Sequence, residues 1–146
     1  MRKIEFAATL LAIAFPMMAT AQTTPKVKRV PVKQTSAASG KEMFQEYCTP
    51  CHGQSGKGDG PAASAMRVPP ANLTKLAAKH GGQFPDKEVA EALRAGPTPT
   101  SNANAHGSET MPVWGPIFRS ISSSDNKVAE LRIYNLVEYV KSIQEK

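Results

Sequence analysis

Cys48-Thr49-Pro50-Cys51-His52 is the stretch on which the reading of this chain turns. In a C-x-x-C-H run the two thiols can each add across one vinyl group of a haem to form thioether bonds, while the adjoining imidazole reaches the iron as proximal ligand. Two other chemistries use similar spacing. A thiol–disulfide catalyst carries its C-x-x-C in a βαβ pattern, which these flanks lack. A zinc site needs four ligands, and outside the motif the chain offers only His80 and His106 and no further cysteine. Haem attachment therefore leads, the redox dithiol is its main rival, and a structural disulfide across so short a loop ranks last.

The flanks read as helices and loops. Ser39 followed three residues on by Glu42 is a capping-box signature, and Phe44 and Cys48 fall one turn apart, so a short helix is expected from Gly40, ending where it presents Cys48. Residues 53–71, rich in Gly and Pro, are expected to form an irregular loop. The stretch from Gly53 to Gly60 lacks the preceding strand and the Gly-Lys-Ser/Thr ending of a phosphate cradle, and close chain approach beside a haem accounts for it. Asn72 can cap a short helical piece stopped by Gly81 and Gly82. Asp86 can cap a helix carrying Val89, Ala92 and Leu93 and ended by Gly96.

From Pro97 to Trp114 no periodicity survives, which predicts a long loop that haem ligation would hold. The clearest element is the last one. With Asp125 as cap, Ile133, Leu136, Val137, Val140 and Ile143 or Gln144 trace one side of a helix, with charges on the other. No stretch shows convincing strand alternation and no internal repeat is present, so the fold class is all-α with long loops.

For the sixth iron position the chain after residue 21 offers Met43, Met66, Met111, His80 and His106. Met43 leads into the motif and Met66 follows it closely, both on the His52 side of the chain path. Met111 comes after a whole helix and a long loop and can reach the opposite haem face. A lone methionine is more often core filler. Met111 is nonetheless the first candidate and His106 the rival, the latter implying a lower potential.

Several pieces then stand in a telling order: Gly40 and Phe44, Cys48 to His52 running on into Gly53-Gln54-Ser55-Gly56-Lys57-Gly58-Asp59-Gly60-Pro61, the segment Met111-Pro112-Val113-Trp114-Gly115, and a final helix with Leu136 and Tyr139. From Gly40 to Ile143 this resembles a class I c-type cytochrome, in particular the small bacterial monohaem branch and the cytochrome subunits of some terminal oxidases. The resemblance implies one haem c, bound covalently through Cys48 and Cys51 and enclosed by helices, with the first and last helices crossing near Gly40. It also implies that Met111 is the axial methionine. The proximal ring's other proton would go to a backbone carbonyl in a Pro-containing loop, for which Pro61 and Pro70 compete, Pro70 being favoured. Trp114 would give its indole N–H to a haem propionate or serve as a packed loop anchor.

The 146 residues suffice for one domain, and aromatics at 6% with a single Trp leave room for a large cofactor in the core. Residues 1–21 read as a signal peptide: Arg2 and Lys3, an apolar stretch from Ala7 to Phe15, and Ala19-Thr20-Ala21 as cleavage site. Glu5, Thr9 and Pro16 interrupt this segment and it is short for a membrane-spanning helix, so cleavage ranks above anchoring and no stable membrane span is expected afterwards. Residues 22–38 read as a basic flexible linker, and residues 39–146 as the haem domain. Of the 18 Lys and Arg residues six precede residue 39, leaving twelve basic against eleven acidic residues beyond it, a net charge of +1 that excludes a nucleic-acid face.

With His52 and Met111 both on iron no coordination position is open, which favours an electron-transfer protein over an enzyme. Its expected location is the periplasm. Its partners would be a dehydrogenase, reductase or terminal oxidase met through weak, brief interfaces, or it would be a subunit of a larger complex. The alternative is a haem-based sensor or ligand-binding module whose sixth ligand is displaced. A thiol–disulfide enzyme would be colourless.

Overall fold

The computed structural model describes residues 31–96 and 111–145. Among them the regular structure is helical, with no strand, in agreement with the all-α expectation. The first helical stretch is α1 (Gly40–Met43), a π-helical turn (Phe44–Cys48) and α2 (Thr49–His52) in direct succession. It thus runs four residues beyond its expected end at Cys48 and carries the whole motif. Ser39 caps it as anticipated, its hydroxyl accepting from the Glu42 N–H at 3.2 Å. The box is half formed, because the Glu42 carboxylate takes the N–H of Ser36.

Two 3₁₀ turns follow, Ala63–Ala65 and Leu73–Lys75, the second capped by Asn72, whose Oδ1 accepts from the Thr74 N–H at 2.9 Å. α3 (Leu76–Lys79) ends at the expected glycines: Gly81 takes φ +66° and the Gly82 N–H returns to the Ala77 carbonyl. α4 (Asp86–Ala95) starts at its expected cap residue, one residue earlier than anticipated. Pro85 holds the cap position, and Asp86 lies in the first turn, where a carboxylate favours the helix dipole and pairs with Lys141 Nζ at 2.7 Å.

α5 (Trp114–Ile121) was not foreseen. Gly115 and Pro116 at its start are poor helix formers, yet proline is tolerated in a first turn, where its missing N–H has no partner to lose. Trp114, Ile117, Phe118 and Ile121, spaced i, i+3, i+4, i+7, were the available signal. α6 (Asn126–Ser142) follows from Asp125, whose carboxylate accepts from the Lys127 and Val128 N–H groups.

α6 is the hub, packing against α1, α4 and α5. The core joins Met43 and Phe44 with Leu93, Phe118, Ile133, Leu136 and Val140. At the crossing of α1 and α6 only a glycine fits: a Cβ on Gly40 would collide with the Asn135 carbonyl oxygen and lie 2.8 Å from Tyr139 Cβ. The close approach expected there is present. Beside it the Phe44 and Tyr139 rings meet at 5.1 Å.

One charge sits on the supposedly apolar face of α6. Arg132, 4% exposed, donates to the hydroxyls of Ser122 and Thr35, each at 3.1 Å. Its cover comes from residues 33–38, which were expected to belong to the linker. Lys33 pairs with Glu46, the Tyr47 hydroxyl donates to the Lys33 carbonyl at 2.6 Å, and Asn135 Nδ2 donates to the Ala37 carbonyl at 2.8 Å. The end of the segment read as flexible is therefore fastened to the helices, because long-range partners satisfy it. Among the described residues no helix is long and apolar enough to cross a membrane.

Candidate functional site

The motif is shaped by its local chain. In the π turn carbonyls look five residues ahead, as the Thr49 N–H bonded to the Phe44 carbonyl shows. The Gln45 carbonyl would next seek an N–H at Pro50, which has none. The Thr49 hydroxyl donates to it instead, at 2.6 Å. Pro50 is thereby accommodated, and Cys51 and His52 continue on α2.

The carbonyls at the end of α2 have no helical partners, and the glycine-rich loop folds back to supply them. Gly58 N–H bonds the His52 carbonyl, Gly60 N–H the Cys51 carbonyl and Ala62 N–H the Pro50 carbonyl, at 2.8 to 3.1 Å. Gly58 has φ +86°, and a Cβ there would collide with the Pro70 carbonyl oxygen. Close chain approach, as anticipated, accounts for the glycines.

This packing brings the next residue to the imidazole. His52 Nδ1 lies 3.0 Å from the Ala71 carbonyl oxygen. A carbonyl only accepts, so the proton is on Nδ1 and Nε2 keeps its lone pair for a metal. Of the two competing prolines, Pro70 is the one that adjoins the acceptor. Burial pushes the His52 pKa down, against the opposing effect of the bond to Ala71, which suits a neutral ligand.

His52 and Met111 border one small cleft that opens to solvent, its other walls being Ala71, Leu73, Leu76, Val89, Ala92, Leu93 and Val140. The other sequence candidates lie elsewhere. Met43 is fully buried in the core against Arg132, Met66 stands outside the cleft lining, and His80 Nδ1 faces the Leu76 carbonyl. His106, and the segments 1–30 and 97–110, lie outside the described residues. Trp114 is a packed anchor, stacked on Tyr47 at 5.3 Å and meeting Phe118 at 5.5 Å.

These residues fit a haem. The cleft is apolar, as a macrocycle needs, a neutral imidazole and a thioether border it, and the two thiols that precede the imidazole in the chain are free. The rival dithiol chemistry fits less well. Catalytic cysteines have depressed pKa values, whereas burial, and then the neighbouring Cys51, pushes the Cys48 thiol up to about 12. Among the described residues no group of three or more His, Cys, Asp or Glu side chains could hold a bare metal ion.

Sequence reading missed Gln144 and Glu145 as neighbours of this site. Gln144 Oε1 accepts from the Ala77 N–H at 2.9 Å, and the Glu145 N–H donates to the Thr74 carbonyl at 2.8 Å. No local pattern announces such bonds across some seventy residues.

A sequence model of one family, cytochrome c, matches residues 37–144, most of the chain. Comparison with curated proteins and with solved structures finds no match.

Proposed function

We propose, from the premise that this chain belongs to the cytochrome c family and so binds a covalently attached haem c with its iron, that it is a one-electron carrier using His52 and Met111 as axial ligands. Bound haem supplies a reversible iron couple. Cys48 and Cys51 would hold it by thioether bonds, each S–H adding across one vinyl group. His52 offers Nε2 to the iron while the Ala71 carbonyl keeps the ring in the required tautomer and orientation. Met111 would supply the second axial ligand, and Leu73, Leu76 and Leu93 would give the macrocycle apolar walls. With both axial positions filled there is no place for a substrate, so the protein is not an enzyme.

The observation that carries this reading is the shared apolar cleft of His52 and Met111. The signal-like residues 1–21 support export to the periplasm. Partners are redox proteins of the dehydrogenase, reductase or terminal-oxidase kind, met through a small interface.

The test is an absorption spectrum of protein matured with haem-attachment machinery, oxidised and then reduced with dithionite. Ferric wild type is expected to show the weak long-wavelength band of sulfur-ligated haem, and Met111→Ala to lose it and bind carbon monoxide when reduced. A band that survives in Met111→Ala, or ready binding of carbon monoxide by reduced wild type, overturns the ligand assignment. The second outcome would favour a sensor or ligand-binding module.

A further inference from the structure

The carbonyl that accepts from His52 Nδ1 belongs to Ala71, and the chain that follows it is held on two sides. On one side the Leu73 N–H bonds the Gly56 carbonyl at 2.7 Å. On the other stands Gln144, just beyond α6. Its Nε2 donates to the Leu73 carbonyl at 2.7 Å and to the Val140 carbonyl at 2.8 Å, and its Oε1 accepts from the Ala77 N–H. The amide orientation is forced, since Leu73 and Val140 present only acceptors and Ala77 only a donor. The adjoining Glu145 adds its N–H to the Thr74 carbonyl and its carboxylate to Lys57 at 3.2 Å. Leu73 and Leu76, held by this clamp, are also walls of the cleft.

We infer that Gln144 is a positioning residue for the proximal histidine, acting through residues 71–77 to hold the Ala71 carbonyl against His52 Nδ1 and so setting how strongly the imidazole donates to iron. The inference rests on the proposed ligation by His52. An imidazole whose Nδ1–H is bonded to a carbonyl is the better donor and favours ferric iron. Loosening the clamp lengthens that bond, makes the ring a poorer donor and raises the reduction potential.

The test compares haem-loaded wild type, Gln144→Leu and Lys141→Met. The leucine keeps an apolar side chain of similar reach without the three hydrogen bonds. Lys141 lies at the same end of α6 and ties it to Asp86 of α4, away from residues 71–77, so its loss perturbs the helix end without touching the clamp. Readouts are the ¹⁵N-resolved Nδ1–H signal of His52 in the reduced protein, its exchange rate with solvent, and the reduction potential. Gln144→Leu is expected to exchange about tenfold faster and to have a higher potential, with Lys141→Met unchanged in both. Unchanged exchange in Gln144→Leu, or equal changes in both variants, overturns the inference and leaves His52 ligation standing. Wild type without a His52 Nδ1–H signal overturns the inference alone, whereas His52 carbon-bound ring protons that lack the large ring-current shift of an imidazole held over haem overturn the ligation itself, and the inference with it. Should Gln144→Leu fail to accumulate, Gln144→Asn, one methylene too short to span the clamp, carries the same comparison with the same outcomes.

Discussion

Gly40→Ala is the sharpest test of how this fold is assembled. The added methyl would overlap the Asn135 carbonyl oxygen and lie 2.7 Å from its carbon and 2.8 Å from Tyr139 Cβ, against the 3.4 to 4 Å of ordinary contact. Backbone cannot rotate aside as a side chain can, so α1 must withdraw from α6. Overpacking of this kind costs about 1–3 kcal/mol. Withdrawal also strains the Asn135 to Ala37 and Arg132 to Thr35 hydrogen bonds that span the same crossing, each worth about 1 kcal/mol. The better helix propensity of alanine returns up to about 1 kcal/mol. The net expectation is a loss of about 2–4 kcal/mol. Urea unfolding of the haem-loaded protein, followed by far-UV circular dichroism, should show a midpoint lower by roughly 1–2 M for an m-value of about 2 kcal/mol/M. The control is Gly81→Ala, where nothing lies within 4 Å of the new Cβ and only the φ of +66° is penalised, at about 1–2 kcal/mol. If Gly40→Ala costs no more than Gly81→Ala, close approach of the two helices is not what glycine provides at position 40.

Two further perturbations follow from the same structure. Arg132→Ala removes a buried, hydrogen-bonded side chain and should cost about 2–4 kcal/mol, while Arg132→Met, which keeps much of the packed stem, should cost about half as much; equal losses by urea titration would show that the stem contributes nothing. The exposed Glu145 carboxyl is held below its ordinary 4.5, first by Lys57 and then by Thr74. A depressed acid stabilises fully above its unfolded pKa and loses that contribution as the pH falls through the folded value. The stability difference between wild type and Glu145→Gln should therefore be largest above pH 4.5, shrink on acidification and diminish with salt, and a difference that grows toward acid pH would contradict the pairing.

What the sequence determined by itself was local. Cys48, Cys51 and His52 declare their chemistry by spacing alone, because two thioether bonds and a ligand must all come from one turn of chain. Ser39, Asn72 and Asp125 announced helix starts because a cap bonds an N–H two or three residues away. Gly40 was singled out through family resemblance, and the structure supplies the collision that explains it. Tertiary structure alone decided which partners come from far away. It showed that residues 33–38 cover a buried Arg132, that Trp114 and Phe118 of α5 both pack on Tyr47, and that Ala71 is the acceptor for His52. It also showed that Gln144 reaches Leu73 and Ala77 across some seventy residues. Hydrogen bonds of that range depend on where the helices cross, and no local spacing encodes them.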